Sequence, residues 1–208
     1  MRREARRLEA EGVGWQNLVD ALRPHTARLW GELSVAERQI FMRRLRPFWE
    51  VLRHRAPPEA MSIVAAGVRR GTLEVVSGEV GAVEDGEDGL RVSLARPGAQ
   101  GARPALRRFD RIVLCTGPET DVRRWNSLLF RQLLRDDLIQ ADPLGLGIVT
   151  DEAARAVGAH GGPTPWLFAV GGLRRPHLWE TTAVPDIVRQ ASALAAALAA
   201  TGPRTAPR

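Results

Sequence analysis

Two apolar segments of the sequence run directly into glycine, at Ile112–Gly117 and at Leu167–Gly172. In open α/β sheets, ligands bind beyond the carboxyl ends of the strands, where glycine lets a large ligand approach the backbone. A predicted helix start follows the second segment at Thr181–Pro185, and its free N–H groups could hold an anion or the electron-rich edge of a ring. An ordinary strand–loop–helix connection shows the same pattern. The sequence is therefore consistent with either a binding role or a purely structural role for these residues.

A second candidate site is the run of Arg53, His54 and Arg55. Two guanidinium groups could clamp the 2′-phosphate of NADPH or an acidic substrate, and the histidine could transfer a proton. The alternative is the solvated basic end of a helix. Cys115 is predicted to be a small core residue rather than a redox thiol. The sequence contains no CxxC motif, no metal-ligand spacing and no serine nucleophile elbow.

The composition of the 208 residues, with 44% hydrophobic and 26% charged, is that of a globular protein and excludes a disordered or disulfide-rich chain. All 30 basic residues are arginine, and the net charge is +6. Residues 1–55 hold 12 arginines against 7 acidic residues. This basic bias could attract nucleic acid, but a solvated helical face explains it better, so we expect no nucleic-acid partner.

The single cysteine excludes an intramolecular disulfide and a zinc site built from several cysteines. No apolar run approaches the ~20 residues of a membrane-spanning helix. The charged N-terminal residues are not followed by the apolar region of a secretory signal. We therefore expect a cytoplasmic protein with no membrane partner.

Apolar residues at helical spacing predict helices over 15–30 and from Ser34, where Glu37 completes a capping box. Pro47 should kink or split the second of these helices. The other predicted elements are a helix over about 58–70 ended by Gly71, strands at Thr72–Ser77, Glu79–Glu84, Leu90–Arg96, Phe109–Cys115, Gly147–Thr150 and Trp166–Val170, and helices over about 122–135 and 184–200.

This order of elements predicts a mixed α/β fold. The apolar run of Ile112–Cys115 suits a sheet that is covered on both faces. The predicted regions are a helical segment at 1–57, an α/β region at 58–200 with a β-meander at 72–96, and a disordered tail at 201–208.

Five short motifs, spread over residues 15–200, occur in an order that resembles a known class of proteins. They are Arg23-Pro24, Phe48-Trp-Glu50, Arg53-His-Arg55, Cys115-Thr-Gly-Pro118 and Leu178-Trp-Glu-Thr-Thr-Ala-Val-Pro185. The set resembles the bacterial FAD/NAD(P)-binding oxidoreductase family that includes urate hydroxylase-like members, within the flavoproteins that have two dinucleotide-binding domains. This resemblance implies a partial FAD/NAD(P)-binding Rossmann-like fold. It also implies an FAD-dependent, NAD(P)H-linked oxidoreductase, with monooxygenase or hydroxylase chemistry within its range.

The resemblance further implies which residues contact the cofactor. Trp179 could cover the flavin ring, and Glu180 could bond a substrate or hold the loop. In the wider class an aspartate bonds the ribityl chain of the flavin, and Gly172 stands in its place here. The residues implied to bind FAD are Thr116, Gly117, Pro118, Gly171, Gly172, Trp179, Glu180, Thr181, Thr182 and Ala183.

The family's Gly-x-Gly-x-x-Gly turn, which grips the FAD diphosphate, is missing from the sequence. Gly145-Leu-Gly147 lacks the third glycine and a following helix, and Gly12-Val-Gly14 does not follow a predicted strand. We therefore expect the C-terminal portion of a larger flavoprotein that acts on a small molecule. Its diphosphate-binding unit would lie upstream or in a separate chain. The alternative is a non-catalytic truncated remnant or an interaction module of the same fold.

Overall fold

A computed structural model describes residues 2–14, 16–95 and 104–200, with the backbone alone for Arg2, Glu4, Ala5 and Glu9. The chain forms two compact units, one from residues 1–54 with 118–208 and one from residues 55–117. This division differs from the predicted one, because the N-terminal helices belong with the C-terminal region rather than standing apart from it. Trp15, Arg96 and the predicted tail at 201–208 lie outside the described residues.

The first unit begins with short helices whose limits follow local sequence signals. Ser34 and Glu37 form the predicted capping box, with each side chain bonded to the backbone of the other residue. Pro24 lies in a 3₁₀ turn that separates two helices of the predicted 15–30 segment. The helices are α1 (Arg2–Ala10), α2 (Gln16–Leu22), α3 (Thr26–Glu32), α4 (Val35–Ile40) and α5 (Arg46–Arg53).

A π-helical turn at Phe41–Leu45 joins α4 to α5 just before Pro47. The N–H of Arg46 donates to the carbonyl of Phe41, five residues earlier. Pro47 has no N–H to donate, and the wider turn absorbs the interruption that its ring would cause in a regular helix. The helical segment therefore continues through Pro47 rather than splitting there, and the π-turn is the local adjustment that accommodates the proline.

The rest of the first unit packs on an apolar core formed by Val122, Ile139, Ile148, Ala156 and Ala169. Two short strands, β4 (Arg155–Val157) and β5 (Pro163–Phe168), pair antiparallel. The helices of this part are α7 (Leu128–Arg135), α8 (Arg175–Leu178) and α9 (Val184–Ala200), with 3₁₀ turns at Val122–Arg124 and Gly171–Arg174.

The second unit contains helix α6 (Pro58–Arg70) and a three-stranded antiparallel meander. Gly71 ends α6 in the left-handed conformation, as predicted. The strands are β1 (Glu79–Gly86), β2 (Gly89–Ala95) and β3 (Ala105–Phe109), in the order β1-β2-β3. The predicted hairpin is confirmed, and its pairing joins Gly86 to Gly89 across the turn.

The predicted buried strand at Phe109–Cys115 is wrong. Strand β3 ends at Phe109, and the segment that follows has no regular structure. Val113 and Leu114 are 75% and 80% exposed, and Cys115 is exposed rather than a core residue. The apolar run suits a strand with neighbours on both faces, but no described strand of this unit pairs with it.

Three other strand predictions need correction. Thr72–Ser77 forms no strand, and its Val75 is 80% exposed. Gly147–Thr150 makes only two isolated bridges, from Ile148 and Thr150. The predicted Trp166–Val170 strand is shifted towards the N-terminus, and Trp166 is 62% exposed. Both sheets are antiparallel in the described part of the chain, so the parallel sheet of a Rossmann-like fold is not seen there.

The described structure is thus a mixed arrangement of helices and antiparallel sheets. The helix predicted at 184–200 is confirmed as α9. No helix among the described residues is both long and apolar enough to cross a membrane.

Candidate functional site

A pocket of about 250 Å³ lies between helix α5 and the start of helix α9 in the first unit. It brings together two groups that the sequence predicted separately. Arg53 and His54 come from the end of α5, and the run from Trp179 to Ala183 comes from the connection that enters α9. Its volume is below the range of about 300–1,000 Å³ that is usual for drug-sized ligands. This pocket is the candidate functional site.

Trp179 lines the pocket and has a backbone conformation that is rare for residues other than glycine, with φ 62° and ψ −72°. The N–H of Glu180 donates to the carbonyl of Leu178 at 2.8 Å, which closes a γ-turn around Trp179. The indole of Trp30 stacks on that of Trp179 at a centroid distance of 4.6 Å, and Phe41 contacts it edge-on. These aromatic contacts stabilise the strained turn.

The guanidinium of Arg175 lies 4.4 Å from the centroid of the Trp179 ring. At these distances the Arg175 guanidinium and the Trp30 indole cannot both lie on the same face of Trp179. Both faces of the Trp179 indole are therefore covered. The indole is only 5% exposed. The sequence interpretation that Trp179 could cover a flavin ring therefore needs correction, because the indole has no free face on which a ring could stack.

Ion pairs form the wall of the pocket opposite α9. Arg53 Nε lies 3.1 and 3.2 Å from the two carboxylate oxygens of Glu180, and both side chains are largely buried. Three side chains share Glu50: the guanidinium of Arg46 at 3.4 Å, that of Arg175 at 3.3 Å and the imidazole of His54 at 3.1 Å. The pair of Arg53 and Glu180 thus joins the connection that enters α9 to helix α5.

Arg175 is the least satisfied member of this network. Its Nε is fully buried and has no hydrogen-bond partner. Burial, and then repulsion from Arg46, hold the pKa of the Arg175 guanidinium below its usual value, although Glu50 partly compensates. The positive charge of Arg175 is therefore incompletely neutralised by the protein groups around it.

A hydrogen-bond network fixes the start of α9 against the turn that follows β5. The hydroxyl of Thr181, which is fully buried, donates to the carbonyl of Gly171 at 2.9 Å. The side chain of Gln190 donates to Thr181 Oγ1 at 2.5 Å and accepts from the N–H of Gly171 at 3.0 Å. Gly171 has a φ of 71°, a conformation that favours glycine.

We expect Thr181→Val to lower the free energy of unfolding by about 2 kcal/mol, because it leaves the buried carbonyl of Gly171 without its hydroxyl donor. Urea unfolding followed by circular dichroism measures the change. The exposed neighbour Thr182 is the matched control, and Thr182→Val should change stability by less than about 0.5 kcal/mol. Equal stability of the two variants would contradict the structural role of Thr181.

Three backbone N–H groups at the entry to α9 remain without acceptors. Those of Thr182, Ala183 and Val184 make no hydrogen bond with the described residues. They carry the positive end of the dipole of a 17-residue helix. Gly172 is exposed beside them, and the position of its absent Cβ is 3.8 Å from Thr182 Cγ2. The arrangement offers donors and open space to a group that carries acceptor atoms along one edge.

The structure places the other predicted residues differently. Thr116 and Gly117 end the second unit, and Pro118 resumes the first; all three are exposed in irregular structure. Arg55 is exposed and is the first residue of the second unit. No group of three or more histidine, cysteine, aspartate or glutamate residues within the described ranges could hold a metal ion.

Sequence reasoning missed Arg46, Glu50 and Arg175 as pocket residues. Arg46, Glu50 and Arg53 are spaced four and three residues apart on α5, a spacing that places them on one helix face and could have revealed them. Arg175 carries no comparable signal. It belongs to the short helix α8, and the turn at Trp179 brings it over the pocket.

Gly145 and Gly147 serve packing rather than phosphate binding. A Cβ on Gly145 would contact the side chain of Asp121, and a Cβ on Gly147 would lie 2.4 Å from the carbonyl oxygen of Leu173. No helix follows this pair directly. Helix α2 does begin shortly after Gly14, but a helix rather than a strand precedes Gly12. The described residues therefore hold no glycine-rich turn of the kind that binds a diphosphate at a helix N-terminus.

No family model and no curated protein sequence matches the chain. Among solved structures, the crystal structure of an L-lysine 6-monooxygenase from Pseudomonas syringae matches with a TM-score of 0.61 and 21% sequence identity. The chain shares the fold of part of that enzyme. The match covers 88% of this chain and 42% of the monooxygenase chain, so this chain spans less than half of that protein. At 21% identity the match shows a shared fold and no more. It gives no support to a relationship with urate hydroxylase-like proteins.

Proposed function

We propose that this chain forms the flavin-ring side of an FAD-dependent, NAD(P)H-linked oxidoreductase with monooxygenase or hydroxylase chemistry. The observation that carries the proposal is the set of free N–H groups at Thr182, Ala183 and Val184 beside the exposed Gly172. The motif resemblance and the shared fold with part of a monooxygenase support it.

The donor set suits the edge of the flavin that carries acceptor atoms. The pyrimidine side of the ring has carbonyl oxygens that accept hydrogen bonds, and it becomes negative when the flavin is reduced. The N-terminus of α9 would stabilise that charge by ~0.3–1 kcal/mol, rising to ~2 kcal/mol where it is partly buried. A bound flavin supplies the hydride chemistry, while the protein binds and orients it.

The residues of the pocket have separate roles in this proposal. Beside the pocket, the exposed Gly172 leaves room for the ring, and Thr181 fixes the helix entry that carries the donors. Arg53 and His54 lie on the opposite wall, where they could receive the nicotinamide nucleotide or an acidic substrate. A unit with a diphosphate-binding turn, supplied by other residues of the full protein or by a separate chain, would complete the site.

The test compares FAD with riboflavin, which has the same ring but no diphosphate. Because this chain offers ring contacts and no diphosphate turn, we expect both to bind with similar affinity in a fluorescence titration. Gly172→Val should weaken both, because its side chain would fill the space next to Thr182. Gly162→Val is the matched control, since a Cβ on Gly162 would meet no atom within 4 Å.

Either of two results would contradict the proposal. One is the absence of saturable binding for both flavins. The other is an equal effect of the Gly172 and Gly162 substitutions. If FAD binds much more tightly than riboflavin, the chain itself contains a diphosphate site, and the part of the proposal that places this site elsewhere is wrong.

The second candidate function is an interaction module of the same fold without catalysis. The neighbouring apolar side chains of Val113 and Leu114 in the second unit, 75% and 80% exposed, favour it, because contiguous exposed apolar surface commonly marks a contact surface. The flavin titration separates the two functions, since an interaction module has no need to bind the ring.

A further inference from the structure

The pocket wall formed by α5 and α8 holds more positive than negative charge. Arg46, Arg53 and Arg175 are permanently charged, whereas only Glu50 and Glu180 oppose them on this wall. Asp186 also lines the pocket, but its buried carboxylate already pairs with Arg23 and Arg189. The wall therefore carries an unbalanced positive charge even when His54 is neutral.

The hydrogen-bond donors of these arginines are also in excess. Arg46 and Arg53 each use only Nε in the described structure, to Glu50 and Glu180 respectively. Their terminal amino groups therefore donate to no described residue. Arg175 donates from Nη2 to Glu50, and its buried Nε has no partner. A buried donor without a partner has a cost in free energy, which a suitable acceptor would remove.

The two carboxylates cannot use these donors fully. Glu50 is shared by Arg46, Arg175 and His54, and both oxygens of Glu180 face Arg53. Arginine forks match the geometry of oxyanions, to which they can donate two parallel hydrogen bonds.

We propose that the wall formed by Arg46, Arg53 and Arg175 binds an oxyanion, the carboxylate or phosphate group of a small molecule. The anion would place its oxygens among the free guanidinium N–H groups. The volume of about 250 Å³ admits a small acid, or one phosphate group of a larger ligand. Identifying this anion as part of a substrate or nucleotide rests on the proposed function, whereas its binding rests on the geometry of this wall alone.

The test measures binding of malonate and of inorganic phosphate to the chain by isothermal titration calorimetry, at constant ionic strength set with chloride. We expect saturable binding of at least one of them. Tighter binding of malonate indicates a carboxylate substrate, and tighter binding of phosphate indicates the phosphate of a nucleotide. Arg46→Gln should weaken binding about tenfold, because it removes a charge-assisted donor.

The matched control is Arg28→Gln. Arg28 forms an exposed pair with Glu32 at the same four-residue spacing as Arg46 and Glu50, but outside the pocket. This variant should bind the anion as the unchanged chain does. Arg46→Lys should retain only part of the affinity, because it keeps the charge but loses the fork.

Glu50→Gln makes the sharpest comparison. If Glu50 competes with the anion for Arg46 and Arg175, its neutralisation should tighten anion binding several-fold, whereas damage to the pocket would weaken it. Weaker binding in Glu50→Gln, an equal loss in Arg28→Gln, or no saturable binding of either anion would overturn the proposal. Repeating the titration with riboflavin present distinguishes the two proposals. The anion can bind when riboflavin does not, and riboflavin can bind when the anion does not.

Discussion

Gly147→Ala is expected to destabilise the first unit by about 3 kcal/mol or more. Gly147 has a φ of 142°, and a Cβ there would lie 2.4 Å from the backbone oxygen of Leu173. That oxygen also accepts the N–H of Ile148 at 3.1 Å, so the clash cannot be relieved without breaking a hydrogen bond of the core. Thermal unfolding followed by circular dichroism measures the loss.

Gly31→Ala is the control for this experiment. A Cβ on Gly31 would meet no atom within 4 Å, and the residue lies inside helix α3. Alanine there should raise the free energy of unfolding by about 0.5–1 kcal/mol, because glycine is a poor helix former. An unfolding midpoint of Gly147→Ala that does not fall below that of the unchanged chain would show that the contact between residues 147 and 173 is absent in solution.

Trp30→Ala is expected to lower the free energy of unfolding by about 4 kcal/mol, which is typical for removal of a buried tryptophan. Trp30 is 3% exposed, and its Nε1 donates to the carbonyl of Pro176 at 2.8 Å. It also stacks on Trp179 and contacts Phe41 edge-on. Its loss leaves one face of Trp179 unsupported, so the γ-turn that orients Glu180 should loosen as well.

Trp166→Ala removes the same side chain from a site that is 62% exposed. It should change stability by less than about 0.5 kcal/mol. Urea denaturation monitored by far-ultraviolet circular dichroism compares the two without relying on tryptophan fluorescence. A loss of stability in Trp166→Ala as large as that in Trp30→Ala would mean that Trp30 does not pack on Trp179 and Phe41 as described.

Local signals in the sequence were sufficient to predict most helices. The capping box at Ser34 and the left-handed end at Gly71 depend on neighbouring residues alone, and the structure confirms both. The hairpin of β1 and β2 was predictable for the same reason, since its turn carries two glycines.

The sheet partners could not be predicted in this way. The apolar run of Ile112–Cys115 predicts a strand in a sheet that is covered on both faces, because such strands are continuously apolar. Whether such neighbours exist depends on distant parts of the chain, and in the described structure Leu114 is 80% exposed. An apolar run indicates that a segment is suited to burial between neighbouring elements, but it does not identify those neighbours.

The pocket was predicted in part. Arg53, His54 and the residues from Trp179 to Ala183 were named as two sites, and the structure joins them in one. Their separation of more than 120 residues in sequence hides this contact, which depends on the buried pair of Arg53 and Glu180. Arg175 was missed because its position depends on the unusual turn at Trp179.

The π-turn at Phe41–Leu45 also limits how this protein can diverge. One extra residue within a helix rotates everything beyond it by about 100°. Phe41 and Met42 pack on the buried cluster of Trp30, Leu146 and Trp179, and Trp49 of α5 packs on it as well. Arg46, Glu50 and Arg53 of α5 line the pocket. Loss of one residue from 43–45 would therefore leave Phe41 and Met42 in place, but it would rotate both Trp49 and the three charged side chains away from their present partners.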